Sequence, residues 1–159
     1  GQGVPGADGS GPPKKGKKRK VALFFAYNGE KYSGMQRNPG VHTVEDAMEQ
    51  ALHAAGGISD HNVGTLQKIS WSRAARTDKG VSAVGQVASC KLVIDPPGVE
   101  ARINAALPPD IACLGVVRVT GGFDARKMCD RRRYEYVLPL WAFDPVRCVG
   151  RSRRLEREA

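Results

Sequence analysis

Several features that would place a chain in a familiar class of proteins are missing from this sequence. No run of roughly 18 apolar residues occurs, so we expect no membrane-spanning helix and no membrane partner. The first residues contain no apolar stretch of the kind that directs secretion. The four cysteines form no Cys-x-x-Cys pair, so we predict no metal site. The three histidines have no partner pattern, and we assign them no catalytic role.

Internal repeats are also absent, and the 159 residues are enough for one domain. Cys90 and Cys113 lie in apolar, strand-like runs and are interpreted as small core residues. Nothing in the cysteine pattern indicates an oxidising compartment, so the sequence favours the cytosol or the nucleus. Composition does not set the oligomeric state.

Positive charge is unevenly placed. The net charge is +9, and Lys14–Lys20 (KKGKKRK) supply six of the 25 basic residues. We predict three segments: a disordered Gly/Pro/Lys-rich arm at 1–20, a folded domain at 21–144, and a basic, disordered tail at 145–159. A basic arm is typical of nucleic-acid binding or of a nuclear import signal. The alternative is a solvated tail without a partner.

Hydrophobic periodicity predicts an α+β fold. Strands are predicted at 21–27, 66–75, 83–94, 111–119 and 133–140, with helices at 43–55 and 99–107. Thr43 followed by Asp46 is close to a capping box. The first six elements have the order of the ferredoxin-like split βαβ unit. We therefore expect an antiparallel sheet with two helices on one face, an extra strand, and an open face available to a partner.

The most informative stretch is Ala75–Ala83 (ARTDKGVSA). One interpretation is a tight surface turn, because Asp, Lys and Gly are ordinary turn residues. The other is a site for chemistry. Arg76 and Asp78 are two residues apart, so in an extended chain they point to the same side. A guanidinium beside a carboxylate keeps it ionised and oriented.

This stretch resembles the signature of the TruA family of tRNA pseudouridine synthases. Further resemblances follow in the family's order, at 27–38, 44–45, 104–108, 119–126 and 132–136. Together they cover residues 21 to about 144. Met35 stands where bacterial members of the family usually carry Trp. In this respect the chain resembles the eukaryotic nuclear subgroup that acts on tRNA.

The resemblance implies an RNA-modifying isomerase that converts uridine to pseudouridine without a cofactor or a metal. Its substrate would be tRNA, at the anticodon stem and nearby positions, and the subgroup extends this to small nuclear RNA or mRNA. The family's catalytic domain has two similar halves, and this chain resembles the first half plus one strand. A non-catalytic RNA-binding fragment is therefore the alternative function. A ferredoxin-like domain with an accidental motif is a third alternative.

Residue roles follow from the same resemblance. The family's essential aspartate falls on Asp78, which would act as a nucleophile or as a base. Its active-site arginine falls on Arg76, which would pair with Asp78 and fill the space of a flipped-out base. Its tyrosine falls on Tyr134, which would stack on the uracil; a core tyrosine on a strand is the alternative. RNA contacts are predicted for Gln36, Arg37, Lys79, Arg132 and Arg133, although the last two also fit a solvated strand edge.

Overall fold

A computed structural model describes residues 16–143 of the chain, so the first fifteen residues of the predicted arm and everything from residue 144 onward lie outside it. The elements are β1 (Lys18–Tyr27), α1 (Val44–Ala54), β2 (Ser72–Arg73), β3 (Ala83–Val93), α2 (Val99–Ala106) and β4 (Ile111–Arg118). β1 begins three residues before the predicted start at Val21. No helix in this range has the length and apolar character needed to cross a membrane.

The four strands form one antiparallel sheet in the order β2-β3-β1-β4. This order, with a helix after the first and the third strand, is that of the ferredoxin-like unit, and the predicted α+β class is confirmed. β1 is central. It pairs with β3 from Lys18 opposite Val93 to Tyr27 opposite Ala83, and with β4 on its other side.

One hydrophobic core lies between the sheet and the two helices. Alternate residues of β1, β3 and β4 enter it, as the two-residue period of a strand requires. Cys90 and Cys113 are both buried there, as predicted, and burial raises the pKa of the Cys90 thiol. The largest fully buried side chains in this core are Phe25, Leu23, Met35, Met48, Leu52, Ile69, Leu92 and Ile103.

α1 begins with the predicted capping arrangement. The Thr43 hydroxyl accepts a hydrogen bond from the backbone N–H of Asp46, and the Asp46 carboxylate accepts from the backbone N–H of Thr43 at 3.1 Å. Burial disfavours the charge of Asp46, but hydrogen bonds from Thr43 and Arg37 outweigh it and hold the pKa of this carboxyl below its usual value. The first turn of α1 is therefore fixed by side chains as well as by its own ladder.

The strand predicted at 66–75 is wrong over most of its length. Residues 66–69 form a 3-10 turn, and Ser70 has a left-handed backbone with φ of 53°. A left-handed residue reverses an extended chain, so only Ser72 and Arg73 pair with β3. The alternation of Ile69 and Trp71 with serines does not distinguish this turn from a strand. Ile69 is fully buried in the turn, as it would be on the inner face of a strand.

The strand predicted at 133–140 is also absent from the described residues. Residues 130–139 have no regular structure, and Leu140–Phe143 form a 3-10 turn. Their side chains are exposed: Tyr136 is 85% exposed and Val137 is 87% exposed. A strand is defined by hydrogen bonds to a neighbour, and no strand of residues 16–143 pairs with this segment.

Candidate active site

Two loops meet at the end of the sheet where β1 finishes. We name residues 74–82 the motif loop and residues 28–38 the facing loop. The backbone N–H of Met35 donates to the Thr77 carbonyl at 3.0 Å, and that of Gly80 donates to the Tyr32 carbonyl at 3.2 Å. The Tyr27 hydroxyl lies 2.7 Å from the Thr77 hydroxyl. The motif loop is thus held by the strand and by the facing loop together.

Glycines in the facing loop allow this close approach. A β-carbon at Gly29 would collide with the Val81 backbone, and one at Gly34 would lie 3.0 Å from the Thr77 carbonyl oxygen. Gly34 also has φ of +96°, a conformation that other residues rarely adopt. The two loops are therefore in backbone contact, which fixes the base of the motif loop.

Asp78 stands on this base and is exposed to solvent. Its carbonyl accepts from the backbone N–H of Val81 at 3.1 Å, and Gly80 between them has φ of +78°. The turn predicted as one interpretation is therefore present. It presents Asp78 to an open cavity of about 590 Å³ that Arg37, Arg76 and Lys79 also line.

Arg76 does not pair with Asp78. Its Nη1 donates to Gln36 Oε1 at 3.0 Å, and the ion pairs within residues 16–143 include none between Arg76 and Asp78. The predicted pairing assumed an extended chain, in which residues two apart share a side. The turn at Asp78 removes that geometry, and Arg76 bridges to the facing loop instead.

A second cavity, of about 390 Å³, adjoins the first and shares Gln36 and Arg76 with it; we name it the cleft. Tyr134 lines this cavity and is 73% exposed, so it is not a core tyrosine. Four arginines line it, and no acidic residue does; they are Arg73, Arg76, Arg126 and Arg132. A concave surface of this kind attracts anions and suits phosphate groups.

The segment that carries Tyr134 is attached to the start of the motif loop through Arg132. Arg132 donates to the Ala74 carbonyl through Nε at 3.1 Å and Nη2 at 2.6 Å. Upstream, the Ser72 hydroxyl donates to Asp124 at 2.8 Å. This bond, with the backbone N–H of Lys127, holds the pKa of Asp124 below its usual value. Arg133 lies next to this attachment and is exposed.

Arg37 has partners within the protein. Its Nε contacts Asp46 at 2.6 Å and its Nη2 contacts Glu49 at 2.5 Å. The hydrogen bond to Glu49, opposed by burial and aided by Asp46, raises the pKa of Arg37. The guanidinium is about a quarter exposed, at 28%, so contact with RNA through its remaining donors stays a prediction.

Three residues of the site were missed from the sequence. Arg126 closes a recognised motif, but Arg73 carries no signal of its own. Glu45 was noted only as the start of a helix, yet it is 1% exposed and lies beneath the cleft. Within residues 16–143, no group of three His, Cys, Asp or Glu side chains is placed to hold a metal ion.

Several proteins of known name are similar to this chain in sequence. No protein-family model matches the chain. It is 47% identical over 144 residues to the Pseudouridylate synthase 1 homolog of Mus musculus, across 88% of this chain and 34% of that protein. It is 48% identical to the tRNA pseudouridine synthase 1 of Eremothecium gossypii and 46% identical to that of Saccharomyces cerevisiae, in each case across 79% of this chain.

These identities define the class: the chain is a relative of the pseudouridine synthases, and the predicted resemblance is confirmed. Within that class, the curated relatives it matches carry the names tRNA pseudouridine synthase 1 and Pseudouridylate synthase 1 homolog. The chain spans about a quarter to a third of their length, from 23% to 34%.

Proposed function

We propose that this chain carries the aspartate of an RNA-modifying isomerase that converts uridine to pseudouridine in tRNA. One observation carries the proposal. The exposed carboxylate of Asp78 stands on a rigid turn at a cavity joined to an arginine-lined cleft, in a chain related to enzymes named for this reaction. An exposed carboxylate beside a cationic cavity suits chemistry on a nucleotide better than a purely structural role in a turn.

The chemistry explains why a carboxylate is needed. The N1–C1′ glycosidic bond breaks, the uracil turns, C5 bonds to C1′, and the proton on C5 is lost while N1 gains one. The carboxylate of Asp78 would attack the sugar or the base as a nucleophile, or would remove a sugar proton as a base. Both roles use the carboxylate form of Asp78, and Arg37, Arg76 and Lys79 line the same cavity as this side chain.

The other residues would hold the RNA. Arg76, Arg126 and Arg132 line the cleft and would neutralise phosphates, which is the main source of affinity for RNA. A uridine must leave its stack to reach Asp78, and this costs a few kcal/mol. Stacking on Tyr134 would offset part of that cost. Gln36, Lys79 and Arg133 would add polar contacts to the RNA.

The decisive test compares the protein with its Asp78→Asn variant on an unmodified tRNA transcript. Pseudouridine is counted by nucleoside mass spectrometry after nuclease digestion, and tRNA affinity is measured in parallel. We expect the variant to lose turnover and to keep its affinity within about twofold, because asparagine keeps the shape but can neither attack nor accept a proton. Asp60→Asn, at an exposed aspartate of the turn at 60–62, should change neither quantity. Unaltered turnover in Asp78→Asn would refute the assignment.

A second function has one observation in its favour. The arginine-lined cleft offers groups that bind phosphate, so the chain would bind RNA there without catalysing a reaction. This candidate predicts tRNA binding by the wild type with no pseudouridine formed, and an Asp78→Asn variant that behaves identically.

The range of substrates and the location in the cell belong to the same proposal. Small nuclear RNA and mRNA are further candidate substrates, because the cleft is lined by groups that read phosphate rather than a base sequence. The basic residues 14–20 would direct the protein to the nucleus. Cytosolic or organellar placement is the alternative, which a fluorescent fusion distinguishes directly.

A further inference from the structure

Beneath the cleft lies a carboxylate that belongs to neither cavity. Glu45 is the second residue of α1 and is 1% exposed. A buried charge is costly unless it is paired and hydrogen-bonded, so its partners show what it does.

One oxygen of Glu45 serves the facing loop. Oε2 accepts the backbone N–H of Arg37 at 2.8 Å, one residue after Gln36. The backbone N–H of Glu45 donates to the Met35 carbonyl at 3.0 Å. The facing loop is therefore attached to the start of α1 on both sides of Gln36.

The other oxygen serves the strand that leads into the motif loop. Oε1 accepts the indole N–H of Trp71 at 2.7 Å and forms an ion pair with Arg73 Nε. Arg73 Nε has no hydrogen-bond acceptor among the described residues, so this second contact is one of charge. Arg73 lines the cleft itself, three residues before Arg76.

We propose that Glu45 is a positioning residue that sets the spacing between the facing loop and the motif loop, and so the place of the Gln36–Arg76 bridge beside Asp78. The expected effect on rate rests on the proposed function, whereas the positioning role rests on the contacts of Glu45 alone. Only a carboxylate fits, since the facing loop and the segment that leads into the motif loop both present donors, and both oxygens must accept. A glutamine has one oxygen, so it serves one loop and turns an N–H₂ donor toward the donors of the other.

The test is Glu45→Gln, with two readouts. The first is the NMR position of three groups that Glu45 does not touch: the side-chain amide of Gln36 and the backbone amides of Arg76 and Asp78. The second is the rate of pseudouridine formation at saturating tRNA, with tRNA affinity measured separately. The matched control is Ile103→Val, which lowers stability at a fully buried position on α2, a helix that contacts α1 and β4.

We expect Glu45→Gln to shift all three amides and to lower the rate at saturating tRNA by about tenfold or more, with affinity within about twofold of the wild type. Ile103→Val should do neither while it remains folded. The inference is overturned if the three amides stay in place, if Ile103→Val moves them equally, or if the rate per bound tRNA is unchanged.

Failure of the proposed function is distinguishable from failure of this inference. A wild type that forms no pseudouridine rejects the former, and the amide positions alone then decide the latter. If Glu45→Gln does not fold, Trp71→Phe replaces it, because this change deletes one donor to Glu45 on the motif-loop side only. A shift of the Gln36 amide, on the opposite loop, supports coupling through Glu45, and an unmoved Gln36 amide overturns it.

Discussion

A comparison of Gly34 with Gly40 isolates the contribution that the contact between the two loops makes to stability. Both have positive φ, +96° and +82°, but only a β-carbon at Gly34 would press on the Thr77 carbonyl, since nothing lies within 4 Å of one at Gly40. An alanine at Gly40 should cost about 1–2 kcal/mol of unfolding free energy for its left-handed backbone alone.

Gly34→Ala should cost more than Gly40→Ala, because it adds the displacement of Thr77 to the same backbone penalty. Denaturant unfolding of the two variants measures the difference directly. If Gly34→Ala were no more destabilising than Gly40→Ala, the loops would not be in firm contact. Equal losses would also leave Thr77 free to move, which would weaken the case for a rigid Asp78.

At the same scale, sequence reasoning selected residues that the fold brings to adjoining cavities, but it did not predict their partners. Asp78, Arg76 and Tyr134 do line adjoining cavities that share Gln36. The partner of Arg76 was mistaken because pairing by spacing along the chain considers only neighbours in sequence. Gln36 lies 40 positions away, and no local rule connects the two.

Among the elements, α1 offers a test of its capping box through pH. The pKa of Asp46 is held below its usual value in the folded protein, whereas in the unfolded chain it is about 3.9. A carboxyl group with a lowered pKa contributes stability above the unfolded value and loses it as the pH falls through the folded one. The wild type should therefore lose stability below about pH 4.

Asp46→Asn should lower stability near neutral pH by about 0.3–1 kcal/mol, the usual contribution of a charge in the first turn of a helix. It should also flatten the acid limb of the stability curve. Thermal unfolding from pH 7 to pH 3 measures both effects. Glu30→Gln, at an exposed carboxylate outside the helix, should leave the limb as it is. If Asp46→Asn loses stability at acidic pH as steeply as the wild type does, another carboxyl group is responsible for the acid sensitivity.

Elements with a strong period and clear ends were predictable, and those that depend on a neighbour were not. Both helices and the three long strands were found near their observed bounds, because each combines an apolar pattern with a Gly, Pro or capping signal at one end. The segments at 66–75 and 133–140 have strand-like residues too. The segment at 66–75 is interrupted by the left-handed Ser70, and the segment at 133–140 has no neighbouring strand in the described structure. The local sequence pattern predicts neither fact.

At the scale of the whole molecule, the placement of charge predicts how tRNA binding responds to salt. If the proposed cleft binds tRNA, the basic residues at 14–20 would neutralise phosphates in addition to those at the cleft. Replacing these six residues with glutamine should lower the slope of log affinity against log salt by about 0.9 for each phosphate that is no longer neutralised. Titration at several salt concentrations measures this slope. Asp78→Asn removes no positive charge and should keep the slope of the wild type.

Should the six-residue replacement also keep the wild-type slope, the segment at 14–20 would have no part in RNA binding. A fluorescent fusion of the same variant then tests its other proposed role. Loss of nuclear accumulation with an unchanged slope would identify residues 14–20 as a transport signal alone.

The contacts that build the cleft are remote in sequence. Tyr27 and Thr77 are 50 positions apart, Gly29 and Ser82 are 53 apart, and Ala74 and Arg132 are 58 apart. Contacts of such long range form late, since the entropy of closing a large loop must be overcome before they contribute. During synthesis the facing loop therefore leaves the ribosome some forty residues ahead of the loop it binds. The backbone N–H groups of Gly29 and Met35, which donate to Ser82 and Thr77 in the folded protein, stay bonded to water until the motif loop has emerged, so the surroundings of Asp78 cannot form before then.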